Sequence, residues 1–300
     1  MDGNRPTKKN RAEALIRKNQ QKFRCPVCNG PMTLRDSFGL ACSSRHSFDL
    51  SKTGYLNLLA TRSNFVYSKE LFEARHTVCS RGFFDPLIDT LCDIVEKHAA
   101  QSEAERVSVL DAGCGEGYHL SGLSRRLGER KTSLFGIDIA KEGIKIASKS
   151  EEEIIWIVSD LAKLPFQKNS FDVILNILSP ANYFEFERVL KRDGLIVKVI
   201  PGKHYLEELR KLIFKENTYS SDRVADYFSN KLEVIAKQDI GYQFKADETV
   251  LPALLKMTPL TWGGNAGELA ACGKRDIDSV TVDLTILIGR KNGGKPQVTT

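Results

Sequence analysis

The chain has 300 residues, of which 41% are hydrophobic and 27% charged, so it can form one large or two smaller domains with a buried core. It contains no run of eighteen apolar residues, and no apolar segment follows its charged N-terminus, which argues against a membrane span and against secretion. The net charge of +6 lies entirely within residues 1–24, and the remaining residues are balanced. A basic arm on a neutral body is typical of polyanion-binding proteins, although a solvated, disordered tail has the same composition.

Directly after this basic arm, four metal-ligand residues occur in two pairs. Cys25 and Cys28 flank Pro-Val, and thirteen residues later Cys42 is followed by His46. Two such pairs separated by a hairpin-sized segment predict a tetrahedral structural zinc site, one per chain, with no open position for chemistry. The alternative is a coincidence of spacing. The other cysteines are scattered, and seven cysteines without a signal peptide predict a reducing, cytoplasmic location.

The segment 107–120, VSVLDAGCGEGYHL, predicts a buried strand, a glycine turn and the start of a helix. Gly113, Gly115 and Gly117 are spaced two apart, whereas a dinucleotide fingerprint would need its third glycine where Tyr118 stands. No Gly-Lys-Ser/Thr follows, which excludes a Walker loop. What remains, Asp-x-Gly-Cys-Gly-x-Gly, resembles motif I of the class I S-adenosylmethionine-dependent methyltransferases. A glycine turn without a ligand is the simpler alternative.

The next two predicted strands decide between these alternatives. Residues 133–138 end in Asp138, twenty-one residues after Gly117, where a βαβ unit of this kind holds a ribose diol. The resemblance implies that Asp138 holds the ribose hydroxyls of S-adenosylmethionine. Residues 154–159 end at Asp160 and Leu161, where methyltransferases of this class bind adenine. Three strand ends in the right order predict a doubly wound, mostly parallel α/β sheet (Rossmann-like), with a small N-terminal zinc ribbon.

The rest of the sequence lets us divide the chain into five segments. We expect a basic tail (1–24), a zinc-binding domain (25–62), connecting helices (63–104), a methyltransferase domain (105–290) and a disordered tail (291–300). Predicted helices cover 67–79, 83–99, 184–191, 205–214 and 248–257, and further strands cover 171–178, 195–201, 232–240, 242–246 and 279–288. The fourth strand runs into Ser179-Pro180-Ala181-Asn182-Tyr183, at the sheet edge where open α/β folds bind ligands.

Over residues 23–262 the chain resembles the bacterial 23S rRNA (guanine-N1)-methyltransferases of the RlmA type, the group that includes tylosin-resistance methyltransferases. The resemblance lies in CPVC…CSSRH, HSFDLSKTGYLNLL, GFFDPL, LDAGCGEGY, GIDIAKEGIKIASK, SPANYFEFERVL, VIPGKHYLEELR and LLKMTPLTW. It implies methyl transfer to N1 of a guanine in hairpin 35 of 23S rRNA. The SPANY form favours the tylosin-resistance guanine of that hairpin. The resemblance also implies a homodimer whose two ribbons flank an RNA cleft.

The candidate site residues follow from these motifs and from the resemblance. The expected cofactor-binding residues are Phe84, Asp111, Gly113, Gly115, Glu116, Gly117, Tyr118, Asp138, Ile139, Asp160, Leu161, Asn176 and His204. The candidates for the base that removes the guanine N1 proton are Asp160, Glu185, Glu187 and His204. None of the four is favoured, because each also suits a cofactor contact, a helix-surface charge or a structural group. Asn176 and Ser179 are candidates for orienting the guanine, or they simply pack in the strand.

Guanine N1 lies on the Watson–Crick edge, so the nucleotide must be unpaired or flipped out, and Phe84, Tyr118 or Tyr183 are candidates for stacking on it. The ribbon, the basic arm and a Lys141, Lys145, Lys149 stripe would contact phosphates, although such a stripe is often only a solvated helix face.

Two other functions stay open: a small-molecule methyltransferase with a zinc appendage, and a non-enzymatic rRNA-binding protein with a relic core. The intact acids at Asp111, Asp138 and Asp160 argue against the relic core.

Overall fold

The computed structural model describes residues 6–35, 39–60, 68–128, 132–150, 153–213, 221–258 and 277–293. Three features of the sequence lie outside these ranges: Cys272, the end of the LLKMTPLTW segment, and all but the first three residues of the predicted C-terminal tail. Within the described residues, no helix is both long and apolar enough to cross a membrane.

The architecture is dominated by an eight-stranded sheet with the order β10-β11-β9-β8-β5-β6-β7-β4. All neighbours from β4 to β9 pair in parallel, and β11 and β10 add antiparallel strands at one edge. This arrangement confirms the predicted doubly wound, mostly parallel sheet. The strands are β4 (Leu56–Asn57), β5 (Val107–Ala112), β6 (Thr132–Asp138), β7 (Ile154–Val158), β8 (Phe171–Ile177), β9 (Leu190–Pro201), β10 (Glu233–Lys245) and β11 (Ser279–Arg290).

Helices cover both faces of this sheet, because the central strands are buried on both sides and need apolar cover on each. The apolar stripe of α3 shows how one face is formed: Leu87, Ile88, Leu91 and Val95 are buried against the strands. The helices are α2 (Lys69–Cys79), α3 (Asp85–Gln101), α4 (Tyr118–Leu127), α5 (Lys141–Ala147), α6 (Tyr183–Val189), α7 (Glu207–Ile213), α8 (Asp222–Lys231) and α9 (Val250–Met257).

The N-terminal ribbon is a three-stranded antiparallel sheet of β1 (Met32–Arg35), β2 (Gly39–Cys42) and β3 (Ser47–Asp49). It shares a hydrophobic core with the large sheet, because Met32 and Leu40 are buried together with Phe135 and Phe166. The chain leaves the ribbon as β4, which pairs in parallel with β7. The predicted 25–62 domain therefore includes one strand that belongs to the large sheet.

The segment predicted to be a basic tail forms helix α1 (Lys8–Asn19), followed by a 3₁₀ turn over Gln20–Lys22. Thr7 caps the helix by accepting a hydrogen bond from the Asn10 N–H at 3.2 Å. Ala12 and Ile16, one turn apart, are buried in the hydrophobic core that the ribbon and the large sheet share. The high overall charge of the segment concealed this apolar spacing.

Other boundaries differ from the predicted ones. The predicted helix over 184–191 ends at Val189, and the following residues, including Asp193 and Gly194, lie inside β9. The two strands predicted over 232–240 and 242–246 form a single strand, β10, which continues through Gly241. Helix α8 was not predicted.

Candidate active site and metal centre

A cleft of about 640 Å³ opens at the carboxyl ends of the parallel strands, next to the point where β5 lies between β6 and β8. Ligands of open α/β sheets bind at this switch in strand order, and the volume falls in the usual range for small-molecule sites. The glycine turn, the ends of β6 and β7, the loop after β8 and the end of β9 form its wall. Phe72, Arg75, Phe84, Tyr205, Val224 and Met257 close it from outside the sheet.

The glycine turn after β5 is tightly constrained. The N–H groups of Gly113 and Cys114 both donate to the Ile137 carbonyl, at 2.8 and 3.0 Å. Gly113 has φ +90°, and a Cβ at this position would overlap Ser179 Oγ. Gly117 has φ +80°, and a Cβ there would overlap the Trp156 ring. Both positions require glycine, in conformation and in space.

Asp138 lies at the end of β6 in the cleft wall, where its carboxylate is held by two backbone groups. Oδ2 accepts the Gly115 N–H and Oδ1 accepts the Ala140 N–H, each at 2.8 Å. Burial raises the pKa of this carboxyl, while the two N–H donors oppose the rise. A carboxylate fixed at the second strand end is suited to accept hydrogen bonds from a ribose diol.

Asp111, at the end of β5 beneath the turn, is fully buried, and neither carboxylate oxygen has a hydrogen-bond partner in the described part of the chain. Burial raises the pKa of Asp111 from its usual 3.8 to about 7. The neighbouring Glu116 is also buried, but its Oε2 lies 2.8 Å from Arg75 Nε. An interior carboxylate without a partner is costly, and a cationic ligand would offset that cost. The two acids, Asp111 and Asp138, therefore fit a nucleoside that also carries an ammonium group, as S-adenosylmethionine does.

The raised pKa of Asp111 predicts how stability depends on pH. Because its folded pKa exceeds its unfolded pKa, this residue's contribution to stability is fully present below about pH 4 and is lost as pH rises to about 7. The loss is on the order of 4 kcal/mol. In cofactor-free protein, Asp111→Asn is therefore expected to stabilise the chain relative to wild type more at pH 8 than at pH 4, as measured by urea unfolding. The same variant should bind S-adenosylmethionine more weakly. A difference in stability between Asp111→Asn and wild type that does not change with pH would contradict this prediction.

The structure brings seven of the predicted cofactor-binding residues to the cleft lining: Phe84, Gly113, Gly115, Asp138, Ile139, Asp160 and Leu161. Asp111 and Glu116 lie buried beneath the turn, and Gly117 begins α4. Tyr118 is not part of the lining, and its hydroxyl lies 3.1 Å from Asp85 Oδ1.

Asn176 is fully buried, does not line the cleft and ties neighbouring segments together. Its Nδ2 donates to the carbonyls of Ala112 and Pro180, at 2.7 and 3.1 Å, and its Oδ1 accepts from Lys198 Nζ at 2.6 Å. These bonds use both amide hydrogens of Asn176. The Asn176 side chain therefore holds the strand ends together, and its predicted contact with the cofactor stays a prediction.

Among the candidate bases, only Asp160 lines the cleft. Glu185 is buried in an ion pair with Arg188, at 2.6 Å, and also accepts the Leu164 N–H. His204 has an exposed side chain 3.2 Å from Glu207, because the turn after β9 directs its neighbour Tyr205 to the cleft instead. Glu187, on α6, is likewise absent from the lining.

The described lining also contains residues that were not predicted as part of the site, among them Phe72, Arg75, Lys198 and Tyr205. Phe72 and Arg75 lie three apart on α2, and this spacing places them on one helix face. Lys198 was visible as the one charged residue within the apolar stretch LIVKVIP. A charged residue in a strand that is otherwise buried is the signal that could have identified it.

The four predicted zinc ligands form one cluster, with all ligand atoms within 4.8 Å of one another. His46 Nδ1 lies 3.6 Å from Cys25 Sγ and 3.4 Å from Cys42 Sγ, and Cys28 Sγ lies 3.6 Å from Cys42 Sγ. A tetrahedral zinc ion with ordinary bond lengths requires ligand separations of roughly 3.4–3.8 Å. The Gly30 N–H lowers the pKa of the Cys28 thiol to about 6, which favours the thiolate that a metal needs. The residues therefore fit zinc.

Two family models match parts of this chain. Residues 23–63 match the family model described as RlmA, N-terminal, and residues 109–194 match the model described as Methyltransferase domain. The YcgJ protein from Bacillus subtilis, a solved structure, is 19% identical with a TM-score of 0.45, over 69% of this chain and 98% of that one.

Two relatives match over almost their entire length. YxjB of Bacillus subtilis (strain 168), which carries the name of a 23S rRNA (guanine-N1)-methyltransferase, is 38% identical over 90% of this chain and 97% of its own. The 23S rRNA (guanine(748)-N1)-methyltransferase of Streptomyces fradiae is 25% identical, over 92% and 99%. These matches confirm the resemblance inferred from the motifs. The chain belongs to the family of 23S rRNA (guanine-N1)-methyltransferases with an RlmA-type N-terminal zinc ribbon.

Proposed function

We propose that this chain transfers the methyl group of S-adenosylmethionine to N1 of a guanine in hairpin 35 of 23S rRNA, at the position associated with tylosin resistance. The observation that carries the proposal is the similarity to YxjB across ribbon and methyltransferase domain together. The finer choice of position is supported by the name of the Streptomyces fradiae relative, which specifies guanine 748. The reaction would take place in the cytoplasm.

The cofactor supplies an electrophilic methyl group on a sulfonium centre, and the chain's own residues bind and orient it. Asp138 would accept hydrogen bonds from the ribose, the buried Asp111 would pair with the ammonium group, and Asp160 and Leu161 would hold the adenine. The target guanine enters from the side of the β8 and β9 ends, with its Watson–Crick edge unpaired. Of the three aromatic residues considered for stacking, Phe84 lines the cleft, whereas Tyr118 and Tyr183 do not.

The RNA would be held largely by positive charge from helix α1, with further contacts from the ribbon. Lys18 is exposed on α1, and so is Arg17, which also pairs with Glu13 at 2.7 Å. In the Lys141, Lys145, Lys149 stripe, Lys145 is partly neutralised by Glu142 at 2.6 Å, while the other two are exposed. A homodimer would place two ribbons beside one RNA cleft.

The proposed function predicts a specific modification on a defined RNA. Incubation of the protein and labelled cofactor with 23S rRNA from a strain lacking this modification is expected to label one guanine. Because N1-methylation blocks pairing, reverse transcriptase should stop next to that guanine. Lys18→Ala should weaken RNA binding and reduce its salt dependence, since each phosphate contact releases counterions. The exposed Lys97 on α3 provides a control substitution to alanine.

Two results would contradict the proposal. Methylation of a small metabolite with no RNA product, and with little effect of salt on binding, would identify a small-molecule enzyme. Tight RNA binding without any cofactor binding, measured by calorimetry, would identify a non-enzymatic RNA-binding protein.

A further inference from the structure

One buried cation in the cleft has no role in the cofactor site described above. Lys198 lies in β9, is 4% exposed, and lines the cleft on the side of the β8 and β9 ends. Cofactor recognition uses the β5, β6 and β7 ends, on the other side of the switch in strand order. Lys198 therefore lies in the half of the cleft that is left for the substrate.

The contacts of Lys198 distinguish it from an ordinary buried lysine, which is usually paired with a carboxylate. Its Nζ donates to Asn176 Oδ1 at 2.6 Å and to the Ser179 carbonyl, and both acceptors are neutral. In the sheet, Lys198 is paired with Asn176 on one side and with the apolar Leu287 on the other. The other charged or titratable groups of the lining are Arg75, Asp138, Asp160 and Tyr205. In the described part of the chain, Lys198 has no ion-pair partner within 4.0 Å among them.

These contacts suit a neutral amine. An uncharged lysine has two N–H groups and one lone pair, and the two carbonyl oxygens use both N–H groups. The lone pair then remains available to a ligand in the cleft. Burial lowers the pKa of Lys198 to about 8, so roughly a tenth of the amine is uncharged at pH 7 and about half at pH 8.

We infer that Lys198 is the general base that removes the N1 proton of the target guanine, an assignment that rests on the proposed function. The N1 proton moves to the lone pair of Nζ, and the N1 electron pair forms the bond to the methyl carbon. The bond from that carbon to sulfur breaks, with its electron pair remaining on sulfur. Lys198 leaves the step as an ammonium group, which returns its proton to solvent after product release. Asn176 acts here as a positioning residue, because it holds the amine in place.

The test compares Lys198→Met, Lys198→Arg and the control Lys237→Met, which changes an exposed lysine on β10. General-base catalysis contributes about 10²- to 10⁴-fold, so Lys198→Met should lower kcat by at least about 100-fold while cofactor affinity stays unchanged. Arginine cannot be deprotonated, so Lys198→Arg should be equally inactive if the residue is a base. In wild type, kcat should rise with pH around pH 8, and the Cε NMR signal of Lys198 in the free protein should titrate over the same range.

Three outcomes would overturn the assignment. High activity in Lys198→Arg would show that a positive charge suffices, and activity in Lys198→Met within tenfold of wild type would show that no base is needed at this position. A wild-type protein that binds the cofactor but forms no N1-methylguanine would refute the proposed function itself, and the base assignment with it. Thermal unfolding and cofactor titration of each variant distinguish these results from misfolding.

Discussion

Replacing Cys25 with serine is expected to abolish stoichiometric zinc binding and to unfold the ribbon. Structural zinc contributes roughly 10–16 kcal/mol to domains of this kind, far more than a three-stranded sheet of this size gains from its own core. Metal analysis of the purified protein should show about one zinc per wild-type chain and none in the variant. Hydrogen exchange should accelerate throughout β1, β2 and β3.

The loss of stability should extend beyond the ribbon, because the residues just before Cys25 contact the methyltransferase domain. Phe23 is fully buried, with its ring centroid 5.7 Å from that of Phe166, and the Arg24 N–H donates to the Pro165 carbonyl at 3.0 Å. The melting temperature of the whole chain should therefore fall. Cys92→Ser is the matched control, since Cys92 is a buried cysteine outside the cluster. A Cys25→Ser protein that retains zinc and wild-type exchange rates would contradict the assignment of the metal site.

The second large effect is expected from Gly113→Ala, which should reduce affinity for S-adenosylmethionine by about 100-fold or more, equivalent to at least roughly 2.7 kcal/mol. Alanine at φ +90° is strained, and its Cβ would overlap Ser179 Oγ in the wall of the cleft. To relieve the overlap, either the turn or the loop after β8 must move, and both form the binding site. Calorimetric titration with the cofactor measures the loss directly.

Gly241→Ala provides the control for this substitution. Gly241 lies in β10, and a Cβ built there meets no atom within 4 Å. We expect this variant to bind the cofactor as wild type does. If Gly113→Ala bound the cofactor within about threefold of wild type, which is about 0.7 kcal/mol, the turn would not be the cofactor site.

The local patterns that predicted the sheet and its turn depend on neighbouring residues alone. Apolar runs in the strands, the spacing of Gly113 to Gly117, and Asp138 at a strand end require no knowledge of distant contacts, and the fold built on them is confirmed. The zinc ligands belong to the same class, since Cys25 and Cys28 form one turn.

Features that depend on tertiary packing were missed. Helix α1 forms because Ala12 and Ile16 are buried in the hydrophobic core that the ribbon and the large sheet share, where α1 packs beside β7. Composition does not reveal this contact. His204 and Glu185 were chosen for their chemistry, but the turn after β9 and the ion pair with Arg188 determine where these side chains lie. Arg75 reaches the cleft only because α2 packs beside the glycine turn.

The pairing of β4 with β7 limits how this enzyme can be dissected. A fragment beginning at Val107 would lose Leu56 and Asn57, so β7 would become an unpaired edge strand. The loss of Phe23 would also leave Phe166 exposed to water. Such a fragment should aggregate during expression. A ribbon from another family member could be grafted onto this chain only together with the strand that follows it.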